Sequence, residues 1–183
     1  MRSLILAGGK STRMGRDKSL IEIEGVACIQ RVAMALAEAG LEPIRISVAS
    51  PEHMEEYGSV IDPSLNVEWV VDSVPNAGPI EALLEALRDP FCGNPLQVAP
   101  VDVPWLSMEI LLRLEGSIGD NAIAMPISSG VSHPLLSLVR PEVADYIGSD
   151  RRPLREQFSE ISHILVEVDG RAVKNLNRPE DLD

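Results

Sequence analysis

Two kinds of apolar segment alternate along the 183-residue chain, and this alternation limits the fold more than any other feature of the sequence. Short apolar runs such as residues 3–6 and 44–49 have the length and composition of buried strands. Residues 27–39 instead place Ile29, Val32 and Leu36 at the spacing of one helix face. Alternating strands and helices form a mainly parallel sheet that is covered on both faces. The sequence therefore predicts an α/β fold with three layers, α/β/α, around a Rossmann-like, mainly parallel sheet.

The rest of the chain continues this pattern without an internal repeat, a low-complexity tract or a linker. We predict further strands at residues 68–71, 96–99, 122–127, 135–139 and 164–168, and further helices at residues 52–57, from Gly78 onward, and at 109–114, 142–147 and 154–158. A chain of this length has room for one core, so we expect residues 1–183 to form a single domain. No apolar run approaches the roughly 18 residues that span a bilayer, and no secretory signal opens the chain. We therefore expect a cytoplasmic protein that does not contact a membrane.

Charge is distributed unevenly along the sequence. The whole chain has 16 basic and 28 acidic residues, a net charge of −12, which argues against nucleic acid as its main partner. Residues 1–18 nevertheless carry five basic residues and one acidic residue, a net charge of +4, whereas the remaining residues carry 11 and 27, a net charge of −16. A small anion would therefore be attracted to the N-terminal segment of an otherwise acidic protein.

The most distinctive motif follows the first strand, where residues 6–18 read LAGGKSTRMGRDK. Gly8 and Gly9 allow backbone conformations in which successive N–H groups point inward and bind an anion. Arg13 and Lys18 add positive charge suited to phosphate oxygens. The segment is neither a P-loop nor a GxGxxG motif, because the glycines that those motifs require are missing. A glycine pair alone is more often a plain turn, but the added basic residues and a third glycine favour a phosphate-binding loop.

Three polar features fall at the predicted ends of parallel strands. The glycine-rich loop follows the first strand, Asp72 follows the strand at residues 68–71, and Asp102 closely follows the strand at residues 96–99. Sheets of this type bind ligands at the carboxyl ends of their strands. We therefore expect the loop and the two carboxylates to share one site.

The glycine-rich loop resembles the signature of the nucleotidyltransferases related to the sugar-phosphate pyrophosphorylases, the nucleotide-diphospho-sugar transferase type. Within that group the chain is most similar to the molybdenum cofactor guanylyltransferases. The similarity continues in order along the chain, through PNAGPI at residues 75–80, APVDVPWL at 99–106, HPLLSL at 133–138, the Arg151-Arg152 pair, and VKNLNRPEDL at 173–182.

This resemblance implies an enzyme that transfers GMP from GTP to a phosphate of the molybdenum-pterin cofactor and releases pyrophosphate, with Mg²⁺ as cofactor. A phosphate nucleophile is already ionised near neutral pH, so no catalytic triad or paired general acid and base is required, and the sequence offers neither. The work is positioning and charge neutralisation. Other proteins of molybdenum cofactor biosynthesis or molybdoenzyme maturation are expected partners.

The resemblance also implies roles for individual residues. Nucleotide binding falls to Leu6, Ala7, Gly8, Gly9, Lys18, Asp72, Gly78 and Asp102. Arg13, Lys18 and Asp102 are the catalytic candidates, and Asp102 is the Mg²⁺ ligand because Mg²⁺ prefers hard carboxylate and phosphate oxygens. Candidates for the acceptor side and the C-terminal segment are His133, Arg151, Arg152, Asn175 and Asn177.

Each assignment has a simpler structural alternative. Asp102 can serve as a turn or N-cap residue, and Asp72 can form an ordinary Asx-turn. His133 can be a satisfied histidine at the end of a strand, and Arg151 and Arg152 can form a solvated charge cluster. The two asparagines of the C-terminal segment, Asn175 and Asn177, can be turn formers.

The sequence departs from the guanylyltransferase pattern at one position. An asparagine is expected just after the second strand, but residues 47–51 read SVASP, where Ser50 is the candidate replacement. The paired glycines of the loop favour GTP over CTP. Cytidylyl transfer to the same pterin, guanylyl transfer to a corrinoid phosphate, and a nucleotide-binding partner protein without catalysis remain open alternatives.

Overall fold

The computed structural model describes residues 2–8, 17–73, 78–93, 95–147, 152–176 and 181. The strands are β1 (Ser3–Leu6), β2 (Glu22–Ile23), β3 (Val26–Ala27), β4 (Ile44–Val48), β5 (Val67–Val71), β6 (Leu96–Pro100), β7 (Ile123–Ser128), β8 (Val131–Ser132), β9 (Leu138–Val139) and β10 (His163–Glu167). The α-helices are α1 (Cys28–Glu38), α2 (Pro51–Gly58), α3 (Pro79–Arg88), α4 (Met108–Ser117) and α5 (Leu154–Ser159), and 3₁₀ helices cover Lys18–Leu20, Pro134–Leu136 and Pro141–Asp145. Within the ranges given, no helix combines the length and the apolar character needed to cross a bilayer.

The main sheet has the strand order β10-β7-β9-β6-β1-β4-β5. Its central strand β1 pairs in parallel with β4 and β6, β4 pairs in parallel with β5, and β7 pairs in parallel with β10. Strand β9 lies antiparallel between β6 and β7, and β8 extends the end of β7 as an antiparallel partner. The prediction of a mainly parallel sheet is confirmed, and its parallel strands all end at one edge.

Side chains of β1 alternate between two apolar clusters, one on each face of the sheet. Ile5 packs with the cluster that includes α1, α4 and Tyr57 of α2, whereas Leu4 packs with the cluster that includes α3 and α5. Both side chains have no exposed surface. Burying apolar side chains on both faces accounts for the continuous apolar runs of the parallel strands. The predicted three-layer arrangement is confirmed.

The structure corrects the predicted strand at residues 135–139. Pro134 begins a 3₁₀ helix, and only Leu138 and Val139 pair with neighbouring strands. Proline fixes φ and lacks an N–H donor, so the chain turns here before it can join the sheet. The predicted α-helix at residues 142–147 is likewise a 3₁₀ helix over Pro141–Asp145.

A β-hairpin formed by β2 and β3 was not predicted. Its two-residue turn has positive φ at both positions, 54° at Glu24 and 79° at Gly25. This is the backbone twist that matches the flanking strands of a tight hairpin. The turn directs the chain from the 3₁₀ helix that begins at Lys18 into α1.

Candidate active site

A cavity of about 510 Å³ opens at the edge where the parallel strands end. Its wall is formed by residues at the carboxyl ends of β5, β4, β1 and β6 and by the segment that follows β7. The predicted site residues among its lining are Leu6, Ala7, Gly8, Lys18, Asp72, Gly78, Asp102, His133 and Asn175. The described parts of the glycine-rich loop, Leu6 to Gly8 and Lys18, therefore converge with Asp72 and Asp102 as expected.

Lys18 and Asp102 meet at the centre of this edge. The Lys18 Nζ atom lies 3.2 Å from the Asp102 Oδ2 atom, and the two side chains are only 18% and 20% exposed. The backbone around Asp102 is fixed on two sides, because the Val101 N–H donates to the Leu6 carbonyl and the Leu176 N–H donates to the Asp102 carbonyl. The pair brings a cation and a hard oxygen ligand within reach of one bound molecule.

The position of Lys18 is fixed by its preceding residue, Asp17. The Ser19 N–H donates to Asp17 Oδ1 at 2.9 Å, which caps the 3₁₀ helix that Lys18 begins. The hydroxyl of Tyr57 on α2 donates to the other oxygen of the same carboxylate. Burial and the neighbouring Asp17 carboxylate raise the pKa of Tyr57, so this hydroxyl keeps its proton. Helix α2 thus holds the turn that carries Lys18.

Asp72 directly follows β5, the edge strand on the side of the sheet away from β7. Burial raises the pKa of the Asp72 carboxyl group, while a hydrogen bond donated by the Ser47 hydroxyl opposes that shift. An added Cβ on Gly8 would lie only 2.6 Å from Asp72 Oδ2, so the close approach of this carboxylate to the loop backbone requires glycine. Ser47, not Ser50, is the serine of this stretch that lines the cavity.

Ser50 takes a different place from the one its sequence position suggested. It precedes α2, and its hydroxyl lies 3.4 Å from His53 Nδ1 on that helix. The side chain that reaches the cavity is that of Ser47, three residues earlier. It shares a face of the sheet with Arg45, because β4 alternates its side chains between the two faces. The alternation is visible in the sequence, but the face of β4 that lines the cavity is set by the tertiary fold.

Gly78 and the first turn of α3 form another part of the wall. Gly78 has φ of 96°, a conformation that favours glycine, and Pro79 follows as the first helical residue. Gly78, Pro79 and Ala82 line the cavity. The N-terminal end of a helix has unpaired N–H groups and favours anions, which suits this wall to a phosphorylated ligand.

The cavity extends to a second group of polar residues beside β7. The His133 N–H donates to the Pro126 carbonyl of β7, and the half-buried imidazole lines the cavity together with Arg155 of α5. Burial, and then the positive charge of Arg155, lowers the pKa of His133, so the ring is neutral at pH 7. Arg155 was not singled out from the sequence.

Of the predicted pair Arg151 and Arg152, the structure describes only Arg152. The Arg152 guanidinium donates to both carboxylate oxygens of Glu160, at 2.6 and 3.4 Å, and does not line the cavity. Arg151, Gly9, Arg13 and Asn177 lie outside the described residues. The sequence signal for Arg155 was its place in the predicted helix at residues 154–158, just after the arginine pair.

The described donor groups fit a magnesium site at Asp102. Mg²⁺ binds through one or two carboxylates together with phosphate oxygens, and Asp102 supplies such a carboxylate at the centre of the cavity. A separate group of possible ligands, Asp17, His53 and Glu56, has its ligand atoms within 4.8 Å of one another. In that group the Asp17 oxygens already accept hydrogen bonds from Ser19 and Tyr57.

Cys28 lies beneath the site and takes no reactive form. Its side chain has no exposed surface, and burial raises the pKa of the thiol to about 11. Only the thiolate is a strong nucleophile or metal ligand, so Cys28 is an apolar support at neutral pH.

Comparison with known proteins identifies this arrangement. The protein-family model of the MobA-like NTP transferase domain matches residues 3–160. A molybdenum cofactor guanylyltransferase of Cupriavidus metallidurans is 30% identical and spans 98% of this chain and 91% of its own length. Another, from Rhizobium rhizogenes, is 27% identical over 97% of this chain and 87% of its own length.

Solved structures agree on the fold. Molybdopterin-guanine dinucleotide biosynthesis protein A of Archaeoglobus fulgidus superposes with a TM-score of 0.75 at 22% identity, covering 100% of this chain and 95% of that one. A nucleotidyl transferase of Methanothermobacter thermautotrophicus superposes with a TM-score of 0.81 at 18% identity, covering 98% and 93% of the two chains. The chain is a nucleotidyltransferase that belongs to the MobA-like NTP transferase family, among the molybdenum cofactor guanylyltransferases.

Proposed function

We propose that this protein transfers GMP from GTP to a phosphate of the molybdenum-pterin cofactor and releases pyrophosphate. The observation that carries the proposal is the Lys18–Asp102 pair, at 3.2 Å, in a cavity that extends to both sides of it. A nucleotide on the β4–β5 side and an acceptor on the β7 side would meet at this pair. The relatives named above carry this activity in their names.

The nucleotide would occupy the side formed by β1, β4 and β5. Leu6, Ala7 and Gly8 would contact it through their backbone, and Gly9 and Arg13 would extend this contact to the phosphates. The Asp72 carboxylate would accept hydrogen bonds from the nucleoside, and its partial burial strengthens such bonds. Gly78 and the first turn of α3 would lie beside the phosphate groups.

The transfer step needs no proton acceptor on the enzyme. An oxygen of the acceptor phosphate attacks the α-phosphorus of GTP, a new P–O bond forms, and the bond to the bridging oxygen of the β-phosphate breaks. That oxygen leaves on pyrophosphate with the electron pair. Lys18 would stabilise the negative charge that builds up on the phosphates, and the enclosed site strengthens this interaction.

Asp102 would hold the Mg²⁺ ion that accompanies the nucleotide. When bound, Mg²⁺ supplies neutralisation of charge on the triphosphate and the leaving pyrophosphate. In the structure the Lys18 ammonium group pairs with the same carboxylate oxygen. Lys18 therefore keeps the Asp102 charge compensated until the nucleotide arrives and then contacts a phosphate.

The acceptor would enter from the side of His133 and the C-terminal segment. Asn175 lines the cavity, and the adjacent Leu176 is hydrogen-bonded to the Asp102 backbone, so Asn175 and Asn177 would complete the site near the metal carboxylate. We place this work in the cytoplasm, with GTP and the phosphorylated pterin as ligands and other proteins of cofactor biosynthesis or molybdoenzyme maturation as partners.

A transfer assay tests the proposal directly. The purified chain is given Mg²⁺, the pterin cofactor and either GTP or CTP labelled at the α-phosphorus, and labelled dinucleotide is measured. We expect product from GTP and little from CTP. Product from CTP alone would overturn the guanylyl assignment. The specific reason to include CTP is that residues 47–51 lack the asparagine expected after the second strand.

The same assay separates an enzyme from a nucleotide-binding partner protein. Asp102→Ala should abolish product while some GTP binding remains, because the metal carboxylate serves the transfer more than the binding of the nucleoside. Asp145→Ala is the matched control, since Asp145 is exposed and lies outside the cavity lining. Undiminished product formation by Asp102→Ala would contradict the metal role.

A further inference from the structure

The side of the cavity next to His133, where the acceptor is proposed to bind, carries the positive charge of Arg155. The sequence motifs do not account for this charge. The ionisable side chains described in the cavity lining are Lys18, Asp72, Asp102, His133 and Arg155. Lys18 and Asp102 pair with each other, and His133 is neutral at pH 7. On the side of His133, Arg155 is therefore the charged group among the described lining residues.

The Arg155 guanidinium is held in place by one hydrogen bond and has further N–H groups that can donate to an anion. Its Nη2 atom donates to the Ser132 carbonyl at 3.0 Å, which fixes the guanidinium beside the turn that leads to His133. No described carboxylate lies within ion-pair distance of Arg155, whereas Arg152 is engaged by Glu160. A guanidinium presents five N–H donors, so one backbone hydrogen bond leaves the fork available for a phosphate.

The order of the strands places this group opposite Asp72. Asp72 follows β5, Gly8 follows β1, Asp102 follows β6, and His133 is anchored to β7. Neighbouring strands lie about 4.8 Å apart, so the His133 side and the Asp72 side are separated by several strand widths with Asp102 between them. A phosphate bound at Arg155 approaches the Asp102 region from the side away from the nucleoside.

We propose that Arg155, with the imidazole of His133 beside it, binds the phosphate monoester of the acceptor and orients it for attack on the α-phosphorus. This assignment rests on the proposed function of the cavity and gives the acceptor-phosphate role to Arg155 instead of Arg152. A neutral imidazole can donate one hydrogen bond to the dianion, and the guanidinium can donate two parallel ones. The oxygen that attacks the α-phosphorus carries its negative charge already, so neither residue removes a proton.

The first test measures binding without turnover. Methyl phosphate, the smallest alkyl phosphate monoester, is titrated by ³¹P NMR into protein saturated with Mg²⁺ and a GTP analogue that cannot be cleaved between the α- and β-phosphates. Arg155→Gln should weaken methyl phosphate binding by roughly tenfold or more, the size of a lost charge-assisted contact. Arg155→Lys should be intermediate, because it keeps the charge and loses the fork.

The matched control is Arg113→Gln. Arg113 is also an exposed guanidinium that donates to one backbone carbonyl, that of Glu167, and it lies outside the cavity lining. Methyl phosphate affinity should be unchanged in Arg113→Gln and in Arg152→Gln. Equal affinity in Arg155→Gln and the unaltered protein, no binding by the unaltered protein, or a loss confined to Arg152→Gln would each overturn the proposal.

A second readout uses the transfer assay. Arg155→Gln should raise the KM for the pterin acceptor while the dissociation constant for GTP stays within about twofold of the original value. An unchanged KM would contradict the assignment. If the unaltered protein made no guanylylated pterin but still bound methyl phosphate through Arg155, the proposed pterin acceptor would be wrong and the phosphate site would stand.

Discussion

At the residue scale, Asp72 lowers the stability of the folded protein, and its proposed contact with the nucleoside accounts for this cost. Its carboxylate is partly buried between Ser47 and Gly8, and the surrounding protein raises its pKa above the usual value of 3.8. A raised pKa means that the folded protein binds a proton more tightly than the unfolded chain does. At neutral pH the ionised carboxylate therefore destabilises the folded state, although the same group is suited to a nucleoside hydroxyl or amine.

Asp72→Asn should therefore stabilise the protein without ligand at pH 7 and weaken GTP binding. The stability gain should shrink as the pH falls through the raised pKa of Asp72, because the original side chain then becomes neutral as well, and it should be absent below about pH 4. Chemical denaturation from pH 4 to pH 8 measures this difference. Asp120→Asn, at an exposed turn, is the control, and a gain that grows at low pH would contradict the account.

Lys18 and Asp102 could be predicted from the sequence. Lys18 lies in the distinctive glycine-rich loop, and Asp102 closely follows a predicted strand. Ser47 and Arg155 were missed for a physical reason. Serine in a strand and arginine in a short helix are ordinary residues, and their role depends on which element faces the cavity. That information lies in the register of β4 with β5 and in the position of α5 against the turn at Ser132.

At the element scale, α2 supports the active site without lining it. Tyr57 has only 1% of its surface exposed, and its hydroxyl donates to the carboxylate that caps the 3₁₀ helix of Lys18. The ring of His53 stacks on the Tyr57 ring with centroids 5.3 Å apart, which restricts the movement of Tyr57. The position of Lys18 therefore depends on the packing of a helix on one face of the sheet.

Tyr57→Phe should weaken GTP binding and lower the free energy of unfolding by about 1–3 kcal/mol, because one oxygen of the Asp17 carboxylate loses its donor. Urea denaturation and GTP titration measure the two effects. Tyr146→Phe is the control, since Tyr146 is 68% exposed. A Tyr57→Phe protein with unchanged stability and unchanged GTP affinity would show that α2 does not position Lys18.

Long, regular elements were predicted better than short ones. The period of apolar residues correctly predicted β1, α1 and α3 and, apart from the β2–β3 hairpin, the order of strands and α-helices through β6. It missed β2, β3 and β8 and made β9 part of a longer strand at residues 135–139, because these strands are two residues long and too short to show a period. The antiparallel placement of β9 is set by its partners β6 and β7, so it depends on tertiary contacts.

At the scale of the whole molecule, the two apolar clusters share one sheet. Adjacent residues Leu4 and Ile5 of β1 belong to different clusters, so neither face can come apart without exposing the strand that supports the other. This arrangement favours a single folding unit, and the expectation of one domain stays a prediction.

We predict one cooperative unfolding transition, seen at the same denaturant concentration by far-ultraviolet circular dichroism and by Trp69 and Trp105 fluorescence. Saturating Mg²⁺ and GTP should raise the free energy of unfolding by about 2.7 kcal/mol at a GTP concentration of 100 times its dissociation constant. Two separate transitions would indicate that the faces fold independently, and no stabilisation by GTP would contradict nucleotide binding to the folded state.

Asp102 and Lys18 are proposed to serve the same triphosphate. The most direct measurement is a crystal structure with Mn²⁺ in place of Mg²⁺ and a GTP analogue that cannot be cleaved at the α-phosphorus, with the ion located by its anomalous scattering. We expect the ion at the Asp102 carboxylate, with Lys18 Nζ moved from that carboxylate onto a phosphate oxygen. An ion bound only at Asp17, His53 and Glu56, with the Lys18–Asp102 pair intact beside the bound analogue, would contradict this proposal.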